Sequence, residues 1–205
     1  KMLAANRATC MELAQRLRKS PPPFIVTCAR GSSDNAGTYA KYLAEIRMGL
    51  VTASVGPSIS SVYGAAPRMS GALFLTISQS GRSPDLLSLT EMARKAGALT
   101  LALVNDMYSP LEKTAEIVLP LLAGPERSVA ATKSYIASLA AILQLVALWS
   151  EDGELLAAVD KLPEQLDQAT RLDWSAAEAM LEHARSLFVV GRGPGFGAGR
   201  QDRNP

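Results

Sequence analysis

The sequence predicts an α/β domain built as a doubly wound, five-stranded parallel sheet flanked by helices. Three observations carry that expectation. Five short apolar runs rich in β-branched residues, FIVTCA at 24–29 among them, lack polar alternation, which is the pattern of strands buried on both faces. Segments of helical length separate them, and strands joined by helical crossovers lie parallel with helices on both sides. Polar turns rich in serine and glycine follow several runs, at the edge where open parallel sheets hold ligands.

The elements follow in chain order. Met2 to Lys19 carries Leu3, Met11, Leu13 and Leu17 among charges, as an amphipathic helix does, and Ser20-Pro21-Pro22-Pro23 ends it because proline cannot continue the ladder. Phe24 to Ala29 is the first strand. Asn35 to Met48 is a helix with Tyr39, Tyr42, Leu43 and Ile46 on one side. Leu50 to Val55 reads as a strand and Ile59 to Ala66 as a short helix. Gly71 to Ile77 is the third strand, followed by a helix at Pro84 to Ala96. Leu99 to Asn105 and Ile117 to Leu121 supply the last two strands, with a short helix near Leu111 between them.

A long helix from about Val129 to Ser150 closes the series. Its stretch Tyr135 to Trp149 is the most apolar in the chain, but it is short for a bilayer span and carries Ser138 and Gln144. It is expected to be a buried or interface helix. The chain therefore divides into an N-terminal helix (1–21), an α/β domain (22–150) and a further segment (151–205). In that segment Glu154 to Thr170 and Ser175 to His183 read as helices, and Ser186 to Gly193 as a strand entering a glycine turn. SLFVVGRG echoes FIVTCARG, so the start of a second copy of the unit is expected there. The closing PGFGAGRQDRNP lacks apolar periodicity and is not expected to complete that copy; truncation is the expectation.

Composition narrows the function classes. With 48% hydrophobic and 20% charged residues the chain has ample material for a core, and a formal net charge of +2 gives no basis for nucleic-acid binding. Cys10 and Cys28 lack metal-ligand spacing, so buried reduced thiols and no metal are expected. No signal-peptide pattern follows Lys1 to Asn6, and a cytoplasmic protein without a membrane partner is expected.

Three polar loops fall at the ligand edge: Arg30 to Asp34, Ser78 to Ser83 and Gly124 to Ser128. In TISQSGRSPDL, Ser83 and Pro84 form an N-cap and first helical position, so the following helix aims unpaired N–H groups and its positive end at the loop. Gly81 permits close backbone approach to a ligand, and Ser78, Ser80 and Ser83 can each donate to an anionic oxygen. The alternative is a bland turn in which Ser83 only caps. No Walker loop exists, and GRGPGFG at 191–197 resembles a dinucleotide fingerprint only loosely. His183, on a charged stretch, reads as solvated. Glu126 and Lys133 read as caps, surface charges or site residues, and Arg30 and Arg82 as partners of phosphate, of Asp34 and Asp85, or of solvent.

Taken together, ARGSSDNAGTYAKY, ISQSGRSPDLL and GPERSVAATKSYIASLAAI resemble the sugar isomerase (SIS) family of phosphosugar-binding domains. The likeness covers nearly all of residues 22–150. It is greatest to the branch holding the isomerase half of glucosamine-6-phosphate synthase and the SIS-type glucosamine-6-phosphate deaminases. The resemblance implies that Ser78, Gln79, Ser80 and Ser83 grip a sugar phosphate. It further implies Ser33 at the phosphate, Ser32 near the sugar, and Val129, through its backbone, beside the sugar with Ala130 and Ala131 close by.

Two departures bear on activity. Arg82 stands where the synthase commonly has Glu, and the family's acid/base residues belong to a second unit and a C-terminal segment beyond this sequence. No residue here is therefore assigned a catalytic role. With no glutamine amidotransferase segment ahead of the unit, the expected chemistry is deamination. Glucosamine-6-phosphate would give fructose-6-phosphate and ammonia by general acid/base catalysis, with no cofactor. The alternatives are a non-catalytic phosphosugar sensor, disfavoured as a DNA-binding regulator because no helix-turn-helix precedes residue 22, and an aldose–ketose isomerase. A homodimer is expected, burying surface of the first helix and of Tyr135 to Trp149.

Overall fold

The five apolar runs form one sheet in the computed structural model, which describes residues 1–127, 131–186 and 190–201. The strands are β1 (Ile25–Ala29), β2 (Thr52–Ser54), β3 (Leu73–Ser78), β4 (Leu99–Val104) and β5 (Ile117–Pro120). They lie in the order β2-β1-β3-β4-β5, and every neighbouring pair is parallel. From β1 the chain steps outward to β2 and then returns across β1 to β3. That reversal leaves a crevice beyond the carboxyl ends of β1 and β3, where nothing crosses over the sheet edge.

The helices are α1 (Met2–Lys19), α2 (Ser32–Met48), α3 (Ser58–Ser61), α4 (Pro84–Lys95), α5 (Pro110–Thr114), α6 (Thr132–Ser150), α7 (Gly153–Thr170), α8 (Ser175–Leu181) and α9 (Gly195–Gln201). Side-chain alternation along each strand divides them between two faces. Leu73, Leu75 and Ile77 of β3 join Leu101 and Leu103 of β4 under α1, α2 and α6. Phe74, between them, points the other way and packs with Leu86, Leu89 and Ala93 of α4. On that second face the buried Thr76 and Thr90 hydroxyls satisfy one another at 2.8 Å.

Burial, not surface charge, holds this arrangement. Phe74, Leu101 and Leu119 are wholly buried, and each such side chain contributes about 1.5–3 kcal/mol. Exposed pairs such as Arg7–Asp160 contribute roughly 0–1 kcal/mol each. The apolar helix α6 lies mostly inside the fold, beside α1 and α2. Two polar side chains at its contact with α1 are satisfied: Gln144 donates to the Leu3 carbonyl at 2.8 Å, and Asn6 of α1 donates to the Pro120 carbonyl at 3.0 Å.

Several expectations are corrected. Met11 is 44% exposed; Leu13 and Leu17 are buried as expected, but Cys10 and Ala14, not Met11, complete the inward face of α1. On α2, Ile46 is 59% exposed while Ala36, Gly37, Ala40 and Ala44 face inward, because small residues allow a close helix–sheet approach. A side-chain carbon at Gly37 would lie 3.4 Å from Thr27 Oγ1. Helix α2 begins at Ser32 rather than Asn35, so the first polar loop shrinks to Arg30 and Gly31. Helix α3 ends at Ser61 instead of Ala66, and residues 195–201 form a short helix where none was expected. That helix lies against α2, near Asn35 and Tyr39. The strand expected at Ser186 to Gly193 falls in part on residues 187–189, outside the described residues.

Candidate functional site

Strand geometry sets the site. Ser78 is the last residue of β3, and Arg30 directly follows β1, its neighbour in the sheet. Both lie at the crevice left by the chain reversal. Gly31, with φ at +54°, turns the chain sharply from β1 into α2, which brings Ser32 and Ser33 in as its first two residues. Ser33 and Asp34 close this turn through N–H bonds to the Arg30 and Gly31 carbonyls at 3.2 and 3.0 Å.

A cavity of about 220 Å³ opens between these elements. Ser32, Ser33, Ser78, Gln79, Ser80 and Ser83 all line it. Arg30, one of whose expected partners was phosphate, and Ala131, expected close to the sugar, also line it, and Ile77 and Leu86, which the sequence did not mark as site residues, complete the lining. Six of the eight residues singled out from the sequence thus meet in one space. The other two, Val129 and Ala130, lie outside the described residues, though the neighbouring Ala131 borders the cavity at the N-terminus of α6.

The hydroxyls are differently committed. Ser78 Oγ accepts from the Gly81 N–H at 2.9 Å, and Ser80 Oγ accepts from the Arg82 N–H at 3.4 Å. Each keeps its own proton to donate. Ser83 occupies the N-cap of α4 as expected, with Pro84 at the first helical position, but its side chain makes no capping bond. Among the described residues, the hydroxyls of Ser32 and Ser33 have no protein partner either. The cavity therefore presents several uncommitted donors beside the positive end of a twelve-residue helix. Asp85, in the first turn of α4, takes up the Leu86 N–H at 3.0 Å.

Gly81 has a different reason from the one its sequence context suggested. Its φ is +62°, it does not line the cavity, and its missing side chain makes room for Ser109 and Val104. Around it the loop is bound to the segment after β4. The Asp106 N–H donates to the Gln79 carbonyl at 3.2 Å, and the Leu111 N–H donates to the Gly81 carbonyl at 3.2 Å. Arg82 pairs with Asp106 at 2.9 Å. The guanidinium, together with the Tyr108 N–H, holds the Asp106 carboxyl below the usual carboxylate range.

Asn105 extends the scaffold to the third loop. Its amide donates to the Gly124 carbonyl at 2.8 Å and accepts from the Ala123 N–H at 2.8 Å. Sequence reasoning missed Asn105 and Asp106, although a polar pair at the end of an apolar run is the signal that marked the other loops. Glu126 and Lys133 act locally. Glu126 accepts from the Ser134 N–H at 2.6 Å, capping α6, and Lys133 donates to the Pro125 carbonyl at 2.7 Å. His183 lies exposed, far along the chain from any lining residue.

Chemically, the cavity can bind more readily than it can react. Among its described lining residues there is no carboxylate, imidazole or amine, so no group there exchanges protons near neutral pH. Cys28, at the carboxyl end of β1, is buried, and that burial pushes its thiol up to about 12. No cluster with metal-binding composition occurs among the described residues.

Comparison with known proteins gives a consistent picture. The SIS domain family model matches residues 20–148. The chain is 31% identical over 182 residues to the glutamine–fructose-6-phosphate aminotransferase (isomerizing) of Thermotoga maritima, covering 84% of this chain and 30% of that protein. It thus spans less than a third of the length of this curated relative. A crystal structure of a candidate phosphosugar isomerase from Silicibacter pomeroyi superposes with a TM-score of 0.91 at 44% identity, covering 96% of this chain and 60% of the other. The C-terminal domain of glucosamine-fructose-6-phosphate aminotransferase from Francisella tularensis shares the fold, with a TM-score of 0.72 at 22% identity over 95% of this chain and 56% of that one.

Proposed function

The chain belongs to the SIS domain family, and from that premise we propose that it holds the phosphate of a hexose or aminosugar 6-phosphate for a deaminase or isomerase. One observation carries this reading: Ser32, Ser33, Ser78, Gln79, Ser80 and Ser83 line a single cavity beside the N-terminus of α4. Clustered hydroxyl and amide donors at a helix N-terminus suit a phosphate dianion. In this reading Ser78, Ser80 and Ser83 bind phosphate with Ser33, while Ser32, Val129 and Ala130 face the sugar.

The preferred chemistry is deamination of glucosamine-6-phosphate to fructose-6-phosphate and ammonia. The fructose-6-phosphate named for the aminotransferase relatives supports that substrate class. Proton transfer falls to groups outside this cavity, since its described lining offers none. The proposal extends to a homodimer, supported by apolar surface left at Leu122, Ile136 and Leu166 and checked by sedimentation, and to a cytoplasmic location, checked by cell fractionation.

Calorimetric titration tests the reading. Glucosamine-6-phosphate or fructose-6-phosphate should bind, and glucosamine or fructose without the phosphate should not. Equal binding of the phosphate-free sugars would refute it. Ammonia release from glucosamine-6-phosphate separates the deaminase from a plain isomerase.

A further inference from the structure

Arg30 lines the cavity, yet its guanidinium is engaged elsewhere: Nη1 donates to Asp85 Oδ2 at 3.0 Å. The other oxygen of Asp85 accepts from the Leu86 N–H at 3.0 Å. One carboxylate thus occupies two donors at the start of α4, next to the place proposed for the phosphate. The two partners are unequally held. Asp85's side chain is 19% exposed and fixed to its own helix, whereas Arg30's is 63% exposed on a long flexible stem. An ion pair with so exposed a member is weak and exchanges readily.

Arg82 provides the contrast. It too is paired, with Asp106 at 2.9 Å, but it does not line the cavity. Arg30 therefore carries the only formal charge among the described lining residues, and the Asp85 carboxylate neutralises it.

We propose that Arg30 is a ligand-binding and specificity-determining residue that leaves Asp85 for the phosphate when a sugar phosphate enters. This rests on the reading of the cavity as a sugar-phosphate site. A phosphate dianion brings more charge and more acceptor oxygens than the single carboxylate, and a guanidinium engages two of those oxygens at once. A neutral sugar cannot compete with Asp85 for the same group. The pair thus discriminates by ligand charge, with Asp85 keeping Arg30 beside the cavity between binding events.

The test is calorimetric titration of fructose-6-phosphate into the wild-type chain and the Arg30→Ala, Arg30→Lys, Asp85→Asn and Ser80→Ala variants, with thermal unfolding as the control for folding. Arg30→Ala is expected to weaken binding about ten- to a hundredfold, the effect of one lost charge-assisted contact. Arg30→Lys should recover part of that loss, and it gives the same readout if the alanine variant is unstable. Asp85→Asn should tighten binding by about two- to tenfold, because it frees the guanidinium. If Ser80→Ala weakens binding and Arg30→Ala does not, the role of Arg30 is overturned while the phosphate site stands. If Asp85→Asn weakens binding as much as Arg30→Ala, the pair is a fixed staple and the exchange is overturned. If neither Ser80→Ala nor Arg30→Ala changes affinity, the sugar-phosphate reading itself fails.

Discussion

Gly81 lies directly on Ser109: a side-chain carbon added to the glycine would stand 2.6 Å from the serine Cβ and 2.9 Å from Val104 Cγ2. Ser109 is fully buried, and its hydroxyl has no hydrogen-bond partner among the described residues. The loop that carries Ser78, Gln79 and Ser80 is therefore seated on a contact with no slack. Gly81→Ala combines a left-handed φ with overpacking and should cost about 2–4 kcal/mol in denaturant unfolding. Ser109→Ala should be neutral or stabilising by up to about 1 kcal/mol, since it removes a buried hydroxyl that is unpaired.

Ser83 separates binding from stability. An N-cap serine that bonds its helix costs about 1 kcal/mol when replaced by alanine, but this one makes no such bond. Ser83→Ala should leave the thermal midpoint nearly unchanged while weakening sugar-phosphate binding roughly tenfold or more. A fall in the midpoint with affinity intact would assign Ser83 to the helix alone.

Asp106 gives an acid-side signature. Its folded-state pKa is lowered, first by the side-chain bond from Arg82 and then by the Tyr108 N–H. A depressed carboxylate contributes stability above its unfolded pKa and loses it as pH falls through the folded value. Asp106→Asn should therefore be less stable than wild type at neutral pH. The two should converge as pH drops below the usual carboxylate range, as followed by urea unfolding across an acid series.

The two cysteines should be inert in the folded protein. Burial pushes Cys10 and Cys28 up to about 12, so neither forms thiolate near neutral pH. A thiol-reactive disulfide reagent at pH 8 should label neither thiol natively and both after denaturation. Because these folded values exceed the unfolded one, the thiols' contribution to stability is full below about pH 9 and declines between about pH 9 and about pH 12.

The strands were legible because each is a compact apolar run, and the serines because they stand directly where such runs end. The inward faces of α1 and α2 were not. Met11 and Ile46 carry strong hydrophobic signals but point outward, and the residues that fit close packing, Gly37, Ala40 and Ala44, carry weak ones. Asn105, Asp106 and Ser109 were hidden for another reason. Their partners, Gly124, Gln79 and Gly81, are distant in sequence, and only the pairing of β4 with β3 and β5 brings them into reach. Arg30 could be marked as a charge near the edge, but its choice of Asp85 over Asp34 depends on where α4 begins.

The cavity takes its lining from the turn between β1 and α2, from the stretch between the end of β3 and the first turn of α4, and from Ala131, three segments that no stretch of local structure holds together. They converge only once β1 and β3 have paired across the intervening β2 excursion and α6 has docked, which are long-range events on the folding route. A partly assembled chain has no complete ligand grip. Bound sugar phosphate should accordingly act late, prolonging the lifetime of the native state while leaving the rate of refolding largely as it was.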